Sequence, residues 1–79
     1  MEKIPLTPNQ REVLNFLNLF YEHYHYMPTQ KEIGEGYIGN KKQLLKSRTD
    51  KAAEYLLKGL QNRGWIKKEL GKHRAIILL

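Results

Sequence analysis

Residues 49–66 read Thr49-Asp50-Lys51-Ala52-Ala53-Glu54-Tyr55-Leu56-Leu57-Lys58-Gly59-Leu60-Gln61-Asn62-Arg63-Gly64-Trp65-Ile66. Thr49 is a cap residue for the free amides of a helix, and Asp50 puts negative charge in its first turn, where the helix dipole favours it. Ala53, Leu56, Leu57 and Leu60 recur at spacings of three and four and define a core face. Lys51, Glu54, Tyr55, Lys58 and Asn62 fall on the opposite face. Gly64 stands where a C-cap glycine ends a helix. Beyond it the period changes. Residues 65–70 and 74–79 read as two strands, with Gly71-Lys72-His73 as the turn between them, which makes a β-hairpin.

Upstream of Thr49 two more helices are legible. Thr7-Pro8-Asn9-Gln10 opens the first: Thr7 caps, Pro8 suits the first helical position and Gln10 completes a capping box. Val13, Leu14, Leu17, Phe20, Tyr21 and Tyr24 then form one apolar face. Phe16 falls off that stripe and is expected to be exposed, marking a partner surface. The helix stops before Met27-Pro28, because a residue before proline is pushed out of the helical region. Thr29-Gln30-Lys31-Glu32 is a second capping box, followed by Ile33. Gly34, Gly36 and Gly39 blur the end of that short helix. In residues 37–47, Leu44 and Leu45 among lysines fit either an extra helical turn or a mobile loop.

The expected architecture is mainly α with a small β-hairpin: a winged helix-turn-helix in one domain spanning residues 1–79. Helix 1 covers about 8–25, helix 2 about 30–36, an inserted basic turn about 37–48, a recognition helix about 50–63 and a wing hairpin about 65–79.

Charge narrows the function. The net charge is +6, with 14 Lys and Arg against 8 Asp and Glu. Residues 1–40 carry three basic and five acidic side chains, a net −2, and residues 41–79 carry eleven and three, a net +8. So lopsided a basic half suggests a polyanionic partner, nucleic acid first. With no cysteine, disulfides and thiolate metal sites are excluded. His23 and His25 form an H-x-H with no carboxylate or cysteine set to complete a metal site, so no metal or other cofactor is expected. Ser47 is the sole serine, and no histidine or acid is spaced to activate it. The chain is not expected to be an enzyme, and no small-molecule ligand is evident. Signal-peptide and membrane-span patterns are missing, so the chain is expected in the cytoplasm, associated with the nucleoid. Tyr21, Tyr24 and Tyr26 read as packing residues, and Trp65 as a plug of the core.

Four stretches resemble the N-terminal DNA-binding domain of the LexA repressor family. They are Leu6 to Leu14, Met27 to Ile33, Ala52 to Ile66 without a gap, and Arg74 to Leu79, in the family's order over nearly the whole chain. The resemblance implies a winged helix-turn-helix that binds double-stranded DNA. It stops at the DNA-binding half, so a stand-alone domain without the protease half and its autocleavage is expected. The stretch between Ile33 and Thr49 is about eight residues longer than the family pattern, which lengthens the turn of the helix-turn-helix.

Carried over position by position, the base-reading residues fall on Thr49, Lys51, Ala52, Glu54 and Tyr55. Lys51 can donate to guanine, Glu54 can accept from a cytosine amine, and Ala52 can touch a thymine methyl. Glu54 fits equally as a helix-dipole or salt-bridge partner. Tyr55 replaces the family's glutamate, so a different target sequence is implied. Phosphate contacts are expected from Lys41, Lys42, Lys46, Arg48, Lys58 and Arg63, with Lys68, Lys72 and Arg74 from the wing. Strand alternation separates Lys67 from Lys68.

The leading function is a sequence-specific transcriptional regulator, a repressor that occupies an operator. It would bind as a homodimer on a two-fold site. Its size fits a regulator from a phage or mobile element. Two other readings compete. One is a protein-interaction winged helix that binds a host regulator or polymerase through Phe16 and the insertion. The other is a nonspecific architectural DNA binder.

Overall fold

The computed structural model describes residues 4–44, 47–68 and 76–79. Helix α1 spans Pro8–Tyr24, α2 Gln30–Glu35 and α3 Asp50–Asn62. Strands β1 (Tyr37–Ile38) and β2 (Lys41–Lys42) lie between α2 and α3, and β3 (Ile66–Lys68) and β4 (Ile76–Leu78) follow α3. Each strand pair is an antiparallel two-stranded sheet. Three helices followed by an antiparallel hairpin make a winged-helix α+β fold.

The helix ends follow the local chemistry. Thr7 Oγ1 accepts from the Gln10 amide at 3.3 Å while Gln10 Oε1 accepts from the Thr7 amide at 3.1 Å. Thr29 and Glu32 repeat the exchange at 3.2 and 2.8 Å. Thr49 Oγ1 accepts from the Ala52 amide at 3.2 Å. Helix α1 ends on His25 in the left-handed region (φ 63°), two residues ahead of Met27-Pro28. Helix α3 ends in a Schellman motif: the Gly64 amide donates to the Gln61 carbonyl, and the Trp65 amide to the Leu60 carbonyl. Gly64 supplies the positive φ of 82° that this closure needs.

The core joins all three helices to the wing. Val13, Phe16, Leu17 and Phe20 of α1 meet Ile33 of α2, Ala53, Leu57 and Leu60 of α3, and Ile66 of β3, each no more than 1% exposed. Phe16 therefore corrects the expectation of an exposed residue. The buried ridge of α1 runs 13-16-17-20 and is rotated away from Leu14, which is half-buried, and Tyr21, which is exposed. The Phe16 and Phe20 rings pack at 5.8 Å between centroids. Tyr24 and Tyr26 extend the aromatic packing from Phe20, with ring centroids 4.5 and 5.8 Å from it. Trp65 is only half-buried, and its indole N–H donates to the Ile4 carbonyl at 2.7 Å, tying the first described residues to the end of α3.

The basic insertion contains a β-hairpin, which neither sequence alternative anticipated. Gly39, with φ +60°, and Asn40, with an ordinary negative φ, close it in the manner of a type II′ turn. Three contacts beyond the hairpin hold it in place. The Gly39 amide donates to the Tyr24 hydroxyl at 2.8 Å. Ile38 and Leu44 are buried in the core. The Gln43 and Leu44 amides both donate to the Gly36 carbonyl. Leu45 and Lys46 lie outside the described residues.

Candidate nucleic-acid interface

Helix α3 is amphipathic because its apolar residues share one face, and burying that face against α1 and α2 leaves the other to solvent. Its N-terminus is held open beside two other elements. Gln30 Nε2, at the start of α2, donates to the Asp50 carbonyl at 2.9 Å, which fixes the two helix starts side by side. An open cleft of about 520 Å³ lies between the starts of α1 and α3, lined by Asn9, Ser47, Arg48, Thr49, Ala52, Tyr55 and Leu56. Two helix N-termini on one cleft give it positive potential. A second cleft, of about 490 Å³, continues along α3 past Gln10, Lys58, Asn62 and Arg63. Tyr55 lines both clefts and is 75% exposed.

The sequence-predicted base readers share the first two turns of α3 but are not equally free. Lys51 is exposed and Ala52 half-buried on the first cleft. The Thr49 hydroxyl is engaged as the cap. Glu54 is half-buried, with its carboxylate 3.4 Å from Lys58 Nζ one turn on, in a helical i,i+4 ion pair. Tyr55 is the large side chain that projects from this face.

The phosphate set divides more sharply. Lys41, Lys42 and Lys58 are exposed, and Arg63 and Lys68 are half-buried. Lys68 pairs with Ile76 in register, and Lys67, opposite Ile77, is exposed on the other face. Lys46, Lys72 and Arg74 lie outside the described residues. Arg48 is paired with an acidic side chain of α1. Its side chain is 6% exposed, and both terminal guanidinium nitrogens lie 3.4 Å from Glu12 Oε1. It braces the start of α3 against α1 while lining the first cleft.

Sequence reasoning also missed the residues that let the helices approach. A Cβ on Gly34 would lie 2.5 Å from the Arg48 carbonyl oxygen, so α2 and the segment before α3 pack backbone to backbone. The Arg48 amide donates to the Gly34 carbonyl at 2.6 Å across that contact. At Gly59 a Cβ would collide with the Gln10 side chain, where α1 crosses α3. Nothing local distinguishes these glycines from ordinary helix breakers; their role comes from what packs on them. Among the described residues no group of three or more His, Cys, Asp or Glu is placed to hold a metal ion, and no helix is long and apolar enough to cross a membrane.

A helix-turn-helix with one polar face of its second helix open, followed by a basic hairpin, defines a winged-helix DNA-binding domain. The family pattern for the LexA DNA binding domain matches residues 3–75, and the chain belongs to that family. Among curated proteins none matches the chain.

Proposed function

We infer that this domain is a sequence-specific transcriptional repressor that lays α3 in the major groove of double-stranded DNA and occupies its operator. The observation that carries this reading is the outer face of α3. There Lys51 and Tyr55 stand exposed beside a cleft onto which two helix N-termini open. Lys51 donates to guanine acceptors, and Ala52 meets a thymine methyl. Glu54 accepts from a cytosine amine when it leaves Lys58, and then frees Lys58 for a phosphate. Tyr55 is the main discriminator, because its ring and hydroxyl reach furthest from the helix. Thr49 sets the start of the helix and contributes through its position. Lys58, Arg63 and Lys68 contact phosphates. Two copies on a two-fold site supply the area that a single module of this size lacks.

The protein-interaction alternative drew on Phe16 and the insertion, and the burial of Phe16 removes the first of these. The nonspecific architectural alternative is separated by experiment. Fluorescence anisotropy of the whole chain is measured on a duplex selected from a random pool and on the unselected pool, across a salt series. Specific binding gives a preference for the selected duplex of the order of 10³ or more. Tyr55→Ala is expected to lower that preference roughly 5–150-fold, about 1–3 kcal/mol, and to leave the salt slope unchanged. Equal affinity for both duplexes overturns sequence specificity.

A further inference from the structure

We propose that the β1–β2 hairpin is a second arm for the DNA backbone, with Lys41 and Lys42 binding phosphates that flank the site read by α3. The proposal rests on the reading of α3 as the DNA-reading helix.

Position argues for it first. In a helix-turn-helix the first helix crosses the backbone and the second enters the groove. Here the hairpin joins the end of α2 to the start of α3, so it hangs where the chain passes the phosphates. Lys42 is seven residues from the α3 cap Thr49, which bounds their separation at about 25 Å of extended chain. Half a turn of B-DNA is about 17 Å. Phosphates half a turn from those beside α3 lie within that bound.

Charge argues for it second. Lys41 and Lys42 are both exposed, and neither has an ion-pair partner among the described residues. Tyr37, 47% exposed, is the register partner of Lys42 and adds a hydroxyl donor to its face, while Lys41, opposite Ile38, leaves the strand on the other face and reaches round the exposed edge. The acidic side chains nearest in the chain or across the adjoining groove are Glu35 and Glu22, both exposed. The other described cation of this connection, Arg48, is committed to Glu12. Among the described residues, the lysines of the hairpin are thus what the connection offers to a phosphate.

Order argues for it third. The hairpin is pinned by Tyr24, Gly36, Ile38 and Leu44. Its backbone is already arranged before binding, so little ordering entropy is lost when the lysines engage.

The test compares wild type with Lys41→Gln/Lys42→Gln on one random-sequence duplex of 24 base pairs, by anisotropy across a salt series. Loss of one or two phosphate contacts lowers the magnitude of the log–log salt slope by roughly 0.9–1.8 and weakens binding at ~0.1 M salt by roughly 8- to 60-fold. Preference for a selected duplex over the random one is expected to persist, because the lysines read no bases. Thermal melting checks that the variant is folded, which two exposed substitutions leave intact. A variant that keeps the wild-type slope and affinity overturns the hairpin proposal and leaves the α3 reading standing. A wild-type chain with no salt-sensitive binding overturns both.

Discussion

The molecule carries two antiparallel hairpins, both seated on the core through apolar side chains but unequal in strand length. In β3–β4, Ile66 and Ile76 face the core, and strand pairing is continued by the Leu79 amide donating to the Trp65 carbonyl. The strands hold each other, and the apolar residues alternate with exposed ones. In β1–β2 each strand has only two residues. Two paired residues per strand are too few to hold a hairpin in water. Its stability is borrowed from Tyr24, from the Gly36 carbonyl and from Leu44 behind it. An insertion between two helices can thus become a fixed element without strand-forming sequence, provided its flanking residues are tied to the core.

If that borrowing is real, breaking the anchor of the insertion costs as much as breaking that of the wing. Leu44→Ala and Ile66→Ala each remove a side chain no more than 2% exposed. Both are expected to cost roughly 2–4 kcal/mol in chemical denaturation. A loss under about 1 kcal/mol for Leu44→Ala alone would show that the hairpin lies loosely on the helices.

The glycines sharpen the contrast. Gly36 and Gly64 both sit in the left-handed region, at φ 75° and 82°. A Cβ on Gly36 would stand 2.7 Å from the Leu44 Cβ, whereas one on Gly64 meets nothing within 4 Å. Gly36→Ala combines left-handed strain with overpacking and is expected to cost roughly 2–4 kcal/mol. Gly64→Ala carries the strain alone, at about 1 kcal/mol. Equal losses would mean that the return of the hairpin to Leu44 yields freely. The cations of the connection divide in the same way. Arg48→Gln leaves the Glu12 carboxylate, 22% exposed, without its guanidinium. The expected loss is roughly 1–2 kcal/mol of stability, with the salt slope of DNA binding unchanged.

Legibility follows the same division. The three helices could be read because their signals are local: three threonine caps, a C-cap glycine, and apolar residues at helical spacing. The wing could be read because the helical period ends at Gly64 and an Ile- and Leu-rich run closes the sequence beyond Gly71. The insertion was missed although Gly39-Asn40 after Tyr37-Ile38 is a two-residue hairpin signal, because its strands are only two residues long and the partners that fix them, Tyr24 and Leu44, lie outside it. The burial of Phe16 and the pairing of Arg48 with Glu12 were illegible for related reasons. An apolar stripe on α1 admits two readings one residue apart, and tertiary packing chose the one containing Phe16. An arginine in a lysine-rich stretch reads as one more surface charge until the position of Glu12 on α1 is known. The reading face of α3 was legible as a face, but its internal pairing of Glu54 with Lys58 came only with the structure.

The smallest perturbation isolates the link between the helices and the insertion. Tyr24→Phe removes one oxygen, the acceptor for the Gly39 amide, and keeps the ring that packs on Phe20. Global stability should fall by only about 0.5–1.5 kcal/mol. The local effect is larger in proportion. The Gly39 amide lies at the exposed turn of a two-residue-strand hairpin, so without the hydroxyl its protection rests on transient structure. Hydrogen exchange should show loss of protection at Gly39, with that of Leu57 and Leu60 falling only by the global change. If Gly39 exchanges as slowly in the variant as in wild type, the phenol is not the anchor, and the hairpin is held by Ile38, Leu44 and the Gly36 carbonyl. If protection is lost at Gly39 and DNA binding weakens with it at an unchanged salt slope, the rigidity of the arm contributes to affinity separately from its charge.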